Sequence, residues 1–214
     1  MRNYILFLIF TLTINFCFGQ KVEIELLLRP SMTSMRGNQV VKNNYDPTFN
    51  LTYGLSGNFK INESKFITTT LLYEDKSIKG SLTSQSMQGA ETVELESNFK
   101  CLTLPIQWGY RLGNKIKYQF GVGLYTSYLI KVESSQKSPT LNSVDDQTDL
   151  FKNFDFGLTA SFKTYIPLTE KINVMIGVDD NLGLINVSAV PVGDGGTIKH
   201  NSFGVIIGLN LGLN

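Results

Sequence analysis

The stretch YQFGVGLYTSYLI, residues Tyr118 to Ile130, sets Tyr118, Phe120, Val122 and Leu124 at every second position, with Gln119, Gly121, Gly123 and Tyr125 between them. Strict alternation marks an extended strand, whose side chains point to opposite faces with a period of two. One face is apolar and the other small or polar. A soluble sheet turns such an apolar face to a protein core, whereas a membrane barrel turns it to lipid and keeps the polar face for its lumen.

The same alternation recurs along the chain and gives about eight candidate strands. The first, near Val22 to Met35, sets Val22, Ile24, Leu26 and Leu28 against Glu23, Glu25, Leu27 and Arg29. The second, near Thr48 to Ile61, sets Phe49, Leu51, Tyr53 and Leu55 against Asn50, Thr52, Gly54 and Ser56. In the third, near Lys65 to Ile78, Thr68, Thr69 and Thr70 blur the two faces. The fourth, near Val93 to Leu112, ends with Leu102, Leu104, Ile106, Trp108 and Tyr110 against Thr103, Pro105, Gln107, Gly109 and Arg111. Tyr118 to Ile130 forms the fifth. The sixth and seventh lie near Phe151 to Ile166 and Lys171 to Val187, and the eighth closes the chain from Phe203.

The connections separate the two kinds of sheet. Asn62-Glu63-Ser64, Gly113-Asn114 and Pro167-Leu168-Thr169-Glu170 are short, whereas 37–47, 79–92, 133–150 and 188–199 are long and polar. Short and long alternate throughout, as periplasmic turns and outside loops do in outer-membrane barrels. The expected fold is therefore all-β, an eight-stranded antiparallel transmembrane up-and-down β-barrel in the Gram-negative outer membrane. A soluble lipocalin-like carrier of a small ligand is the alternative, and it requires the large apolar residues to point inward.

The beginning of the chain fits export. MRNYILFLIFTLTINFCFGQ carries Arg2, an apolar run from Tyr4 to about Phe18, and small residues at Cys17 and Gly19. This is the pattern of a cleaved secretory signal peptide, with an apolar run short for a spanning helix. Residues 1–19 are read as the signal and 20–214 as one barrel domain. Phe16 stands where a lipoprotein needs a small residue. Cys101 is then the lone mature cysteine, excluding an intrachain disulfide, and reads as a packing residue.

Composition excludes several classes of function. A balance of 19 Lys and Arg against 18 Asp and Glu gives a formal charge of +1, which offers nothing to nucleic acid. Gly121, Gly123, Gly157, Gly177, Gly204, Gly208 and Gly212 share the polar face and suit a narrow lumen. Glu23, Arg29, Lys60, Arg111, Asp155, Lys163 and Asp179 are candidate lumen charges that must pair or find water. Eight strands leave room for side chains but not for an open pore. Tyr110, Trp108, Tyr118, Tyr128 and Phe154 are candidates for interfacial aromatic girdles.

The hairpin CLTLPIQWGYRLGNKIKYQFGVGLYTSYLI resembles the PorT-like small outer-membrane β-barrel family. The shared features are Leu104-Pro105-Ile106, the tight turn at Gly113-Asn114, and a glycine-alternating strand ending in Tyr128-Leu129-Ile130. The resemblance implies an outer-membrane barrel with a structural or interaction role in envelope assembly, secretion or loop-mediated binding. Pro105 cannot donate a ladder hydrogen bond, so a bulge is expected there. The chain also finishes on Asn214, where such barrels usually finish on an aromatic.

No residue is assigned a catalytic, cofactor-binding or metal-ligating role, and no cofactor or enzyme activity is expected. His200-Asn201-Ser202 looks like the His-x-Ser pair of outer-membrane lipid A deacylases, but no acid follows it in the chain to orient the histidine. Asp145, Asp146 and Asp149 read as a solvated loop rather than a cation site, and Asp194-Gly195-Gly196 as a turn. The expected partners are outer-membrane lipid, the barrel assembly machinery that inserts such chains, and a protein reached through the outside loops. The barrel is expected to be a monomer.

Overall fold

Alternation becomes pairing in the computed structural model, which describes residues 22–37, 46–86, 89–138 and 142–213. The signal-peptide reading of residues 1–19 and most of the loop at 37–47 lie outside the described residues. The strands are β1 (Val22–Arg36), β2 (Asp46–Lys60), β3 (Lys65–Ser86), β4 (Gly89–Leu112), β5 (Lys117–Lys137), β6 (Asn142–Asp146), β7 (Phe154–Pro167), β8 (Ile172–Gly183) and β9 (Lys199–Leu213). Eight of them pair antiparallel with their neighbours, and β1 pairs with β9 to close the ring. Closure removes the open sheet edges that a lone sheet must protect.

The faces divide as the alternation requires. On β5, Tyr118, Phe120, Val122 and Leu124 point outward and Gln119, Gly121 and Tyr125 inward. Leu26, Leu28, Phe49, Tyr53, Ile106 and Trp108 are likewise exposed, while Arg29, Thr52, Ser56, Thr103 and Gln107 are buried. A soluble carrier requires the opposite arrangement, so the outward placement of the large residues removes that alternative. No described helix is long and apolar enough to cross a membrane.

The outward belt has the height of a hydrocarbon layer. Aromatics mark both of its limits, with Tyr118 stacked on Phe162 at 6.3 Å at one end and Tyr128 edge-on to Phe154 at 5.3 Å at the other. Ten residues separate Tyr118 from Tyr128, about 33 Å along a strand. Tilted by about 40°, as barrel strands are, that becomes about 25 Å, the apolar height of an outer-membrane barrel.

Three features differ from the sequence reading. The long connection at 79–92 is largely hairpin, with β3 and β4 paired from Lys65↔Tyr110 out to Ser86↔Gly89. Gly, Ser, Thr, Gln and Glu dominate that sequence, so no apolar alternation announces a strand. The connection at 133–150 likewise holds the top of β5, the short β6 paired to it, and a 3-10 turn at Thr148–Leu150. The bulge expected at Pro105 lies elsewhere. The β4–β5 register runs unbroken through Pro105↔Tyr125 and shifts between Lys100 and Cys101. Against β3, pairing passes from Thr69↔Ile106 to Leu72↔Thr103 in one register, so the missing proline N–H falls in a gap in the ladder. Pro30 sits in a similar gap, between Leu28↔Ile207 and Ser31↔Gly204.

Glycine is required at particular points. Gly113 turns the β4–β5 connection at φ 95°, a left-handed conformation that favours glycine. Gly121 faces the lumen where a Cβ would meet Gln107 Oε1 at 2.7 Å and Ser161 Oγ at 2.8 Å.

Candidate functional site

The polar faces of the eight strands meet in a lumen organised by three clusters of charge. At the periplasmic-turn end, Arg111 of β4 donates from Nη1 and Nη2 to the two carboxylate oxygens of Glu23, at 2.7 and 2.9 Å. Its Nε donates to Gln119 Oε1 at 2.9 Å. The guanidinium carbon lies 4.0 Å from the ring centre of Phe66 and 4.3 Å from that of Tyr165, so cation–π contact adds to the fork.

Glu25 forms the second cluster. It accepts from Lys163 Nζ at 2.7 Å, from Tyr165 Oη at 2.7 Å, and from Asn58 Nδ2. Asn58 Oδ1 accepts from Thr68 Oγ1, whose hydroxyl also accepts from Gln119 Nε2. Leu27, Leu72, Tyr165, Met175 and Ile206 pack as an apolar cluster inside the barrel.

The third cluster is centred on Arg29, which is fully buried. Its Nε donates to Asp179 Oδ1 at 2.6 Å, Nη1 to Glu74 Oε1 at 3.2 Å and to Ser202 Oγ at 3.0 Å, and Nη2 to the Ser202 carbonyl at 2.9 Å. Glu74 also faces Lys76 Nζ at 3.0 Å and accepts from Thr103 Oγ1. Across the three clusters each ionised group meets an opposite charge, the condition under which buried ions are tolerated.

Of the predicted lumen charges, Glu23, Arg29, Arg111, Asp155, Lys163 and Asp179 all enter this interior. Lys60 does not join the network. It stands half-buried at the end of β2 with no ion pair among the described residues. Glu25, read on the polar face of β1 but not among the candidate lumen charges, joins Glu74 and Lys76 as the charged lumen residues that sequence reading left out. Thr68, Thr69 and Thr70 hid the phase of β3, and the buried face that Glu74 and Lys76 share also carries Phe66, Leu72 and Ile78, so apolar alternation gives no sign that both point inside.

The outer end of the lumen is plugged. Met35, Ile78, Phe99, Cys101, Leu129 and Val132 pack together, with Phe151, Val192 and Ile198 closing over them. The segment after β6 is strapped down by Gln147 N–H donating to the Val132 carbonyl at 3.0 Å, Val132 N–H to Thr148 Oγ1 at 2.9 Å, and Lys152 N–H to the Val187 carbonyl at 2.8 Å. Beneath it, His200 Nδ1 is 3.7 Å from Asp155 Oδ2, which also accepts from Tyr125 Oη at 3.0 Å. An acid therefore does face His200, supplied from earlier in the chain rather than after it. His200 and Ser202 are both buried inside the barrel, and Ser202 Oγ is taken by Arg29. A deacylase-like pair on the lipid face is excluded by that orientation.

The predicted loop sites serve local structure. Asp146 Oδ1 accepts from the Thr148 N–H at 3.0 Å and from its hydroxyl at 2.6 Å, which holds the Asp146 carboxyl below the usual carboxylate range. Gly193–Gly195 form a 3-10 turn. Among the described residues no three His, Cys, Asp or Glu side chains gather as a metal site.

Above the belt, β3, β4 and β5 continue as a tall wall. Gly89 to Lys100 of β4 are twelve residues beyond the last lipid-facing leucine, Leu102, about 40 Å of strand. The outward face changes there from apolar to charged. Lys100 Nζ and Lys131 Nζ lie 2.8 and 2.9 Å from the two oxygens of Glu133, and these lysines hold its carboxyl down to about 2. Higher up, Lys79 pairs across to Glu96 and Glu94 to Lys137, and with Asp46 and Ser135 they line a concave polar surface.

Comparison with known proteins agrees with this architecture. The crystal structure of neisserial surface protein A is similar at a TM-score of 0.52 and 11% identity, covering 90% of this chain and 97% of that one. At that identity the likeness shows the fold alone. OprG of Pseudomonas aeruginosa aligns at a TM-score of 0.45 and 11% identity over 92% of this chain and 96% of its own. Ail, the attachment invasion locus protein of Yersinia pestis, aligns at 0.45 and 7% over 90% and 99%. No curated protein sequence matches. The family described as "Outer membrane protein beta-barrel domain" matches residues 18–189, most of the chain. With its closed ring, outward apolar belt and polar interior, the protein belongs to this family and is a β-barrel of the Gram-negative outer membrane.

Proposed function

We propose that the barrel acts as a structural and interaction protein, closed to solutes, that presents its β3–β5 wall to a partner outside the membrane. The observation that carries this reading is the wall itself. Its strands continue in regular register far past the lipid-facing belt, ending in a charged concave surface with both signs of charge. Spanning a membrane requires only about 9–11 residues per strand, so the remaining length serves something other than insertion. The closed-lumen part rests on the ion-paired clusters and the apolar plug above them.

The PorT-like likeness of the Cys101–Ile130 hairpin supports a role in envelope assembly or secretion. In this reading the barrel assembly machinery inserts the chain, lipid surrounds its belt, and it works as a monomer with a protein partner at the wall. A photo-crosslinking residue at Ser135, introduced in intact cells, tests it. A discrete adduct is expected, and it should vanish when residues 81–94 are replaced by a tight turn while the folded barrel persists. No adduct, or one indifferent to that replacement, contradicts the wall as the interaction surface. Steady conductance steps in a planar bilayer contradict the closed lumen.

A further inference from the structure

The three short turns at the opposite end of the barrel share a composition that the interaction reading does not use. Each carries one exposed aliphatic residue and one exposed lysine. Ile61 is 50% exposed beside Lys65, Ile116 is 42% exposed beside Lys115, and Leu168 is 62% exposed near Lys171. By strand parity the aliphatics continue the outward face past the last strand residues: Ile61 follows Phe59, Ile116 precedes Tyr118, and Leu168 follows Ile166. Lys60 and Lys117 stand half-buried behind them.

Several lysines of the lumen and the wall are held by acids, although Lys137, Lys152 and Lys199 at the outer end form no ion pair among the described residues. Lys76, Lys79, Lys100, Lys131 and Lys163 all face a carboxylate within 4.0 Å. None of Lys60, Lys65, Lys115, Lys117 and Lys171 forms an ion pair among the described residues. Across the turns and the strand ends beside them, these five lysines outnumber the two acids, Glu63 and Glu170. Arg111 and Glu23 at the same end neutralise each other. An aliphatic side chain that stays at the apolar boundary next to a lysine that reaches beyond it matches the two layers of a phospholipid, its acyl chain and its phosphate.

We infer that the periplasmic turns form a collar that binds phospholipids with anionic headgroups. The acyl chains lie against Ile61, Ile116 and Leu168, and the headgroup phosphates against Lys65, Lys115 and Lys171. The inference rests on the membrane-spanning orientation, with the short turns on the periplasmic side.

Trp108 provides the readout. It is the one tryptophan of the chain, it faces outward, and it lies on β4 one outward position above Tyr110, which pairs with Lys65. The protein is folded into vesicles of equal phosphatidylcholine and phosphatidylglycerol, with brominated acyl chains on one lipid or the other. Trp108 is expected to be quenched more by brominated phosphatidylglycerol, with a relative association about two- to fivefold that of phosphatidylcholine at low ionic strength. It should fall toward equality in high salt as the lysines are screened.

The triple variant Lys65→Gln, Lys115→Gln, Lys171→Gln is expected to lose the preference while keeping the overall quenching that shows a folded, inserted barrel. The variant Lys100→Gln, Lys131→Gln, on the other rim, is expected to keep it. Equal quenching by the two lipids in the unmodified protein overturns the collar and leaves the barrel standing. So does a preference that survives the triple variant or disappears with the outer-rim pair. Absence of quenching by either lipid overturns the membrane orientation itself.

Discussion

Replacing Arg29 tests how the lumen is held together. Arg29 contributes four hydrogen bonds, to Asp179, Glu74 and Ser202, from a fully buried position on β1. Arg29→Ala leaves both carboxylates inside the barrel. Glu74 keeps Lys76 at 3.0 Å, but Asp179 forms no other ion pair among the described residues. Removing one partner of a buried pair typically costs about 3–5 kcal/mol, because the uncompensated charge remains buried. With Glu74 still paired, Asp179 supplies most of that cost. Arg29→Lys keeps the charge but cannot fork to three partners, and should cost about 1–3 kcal/mol. In Arg29→Met with Asp179→Asn the orphaned charge is gone, so the double variant should be more stable than the sum of its single changes by about 0.5–3 kcal/mol. Urea unfolding of the vesicle-folded protein, followed by Trp108 emission, gives these differences from the shift in midpoint at constant slope. A loss under about 0.5 kcal/mol for Arg29→Ala, with additive double changes, would refute the claim that this cluster is desolvated and mutually dependent.

Ile106 lies midway along the outward belt and is 51% exposed, so Ile106→Arg should cost about 2–4 kcal/mol in a bilayer, measured by the same unfolding assay. Glu133, held down to about 2 by Lys100 and Lys131, adds stability that is present above the ordinary carboxylate value near 4.5 and is lost as pH falls toward 2. Side-chain NMR titration should show that low value returning upward in Lys100→Gln with Lys131→Gln, and salt should weaken the effect because the site is exposed. His200→Ala should leave the lipid A of a producing cell unchanged, since His200 and Ser202 face the lumen. Loss of an acyl chain only in cells with the unmodified protein would reverse that conclusion.

The belt was legible in the sequence because a strand writes its two faces locally, two residues at a time. Tyr118 to Leu124 and Leu102 to Tyr110 needed no knowledge of their neighbours. The wall was not legible for the same reason: from Lys79 to Thr92 the sequence carries no apolar alternation, so only cross-strand pairing reveals strand. Charges on clearly phased strands, such as Arg29 and Lys163, could be placed inside. Glu74 and Lys76 could not, because the threonines before them are as acceptable to lipid as to a polar lumen. Which charge meets which depends on barrel closure. Arg29 and Asp179 are 150 residues apart, and Asp155 reaches His200 across the lumen from β7 rather than from a following segment. No acid follows His200 in the chain, yet Asp155 faces it, because chain order does not determine proximity in a closed ring.

The central claim is that the alternating apolar face meets lipid around a closed barrel. Its most direct test is to fractionate cells producing the full-length chain and run the membrane fraction on a denaturing gel with and without boiling. Recovery in the outer membrane and a change in mobility on heating are expected, as a closed ring resists detergent until it unfolds. Recovery in the soluble fraction, with one mobility at every temperature, would contradict it.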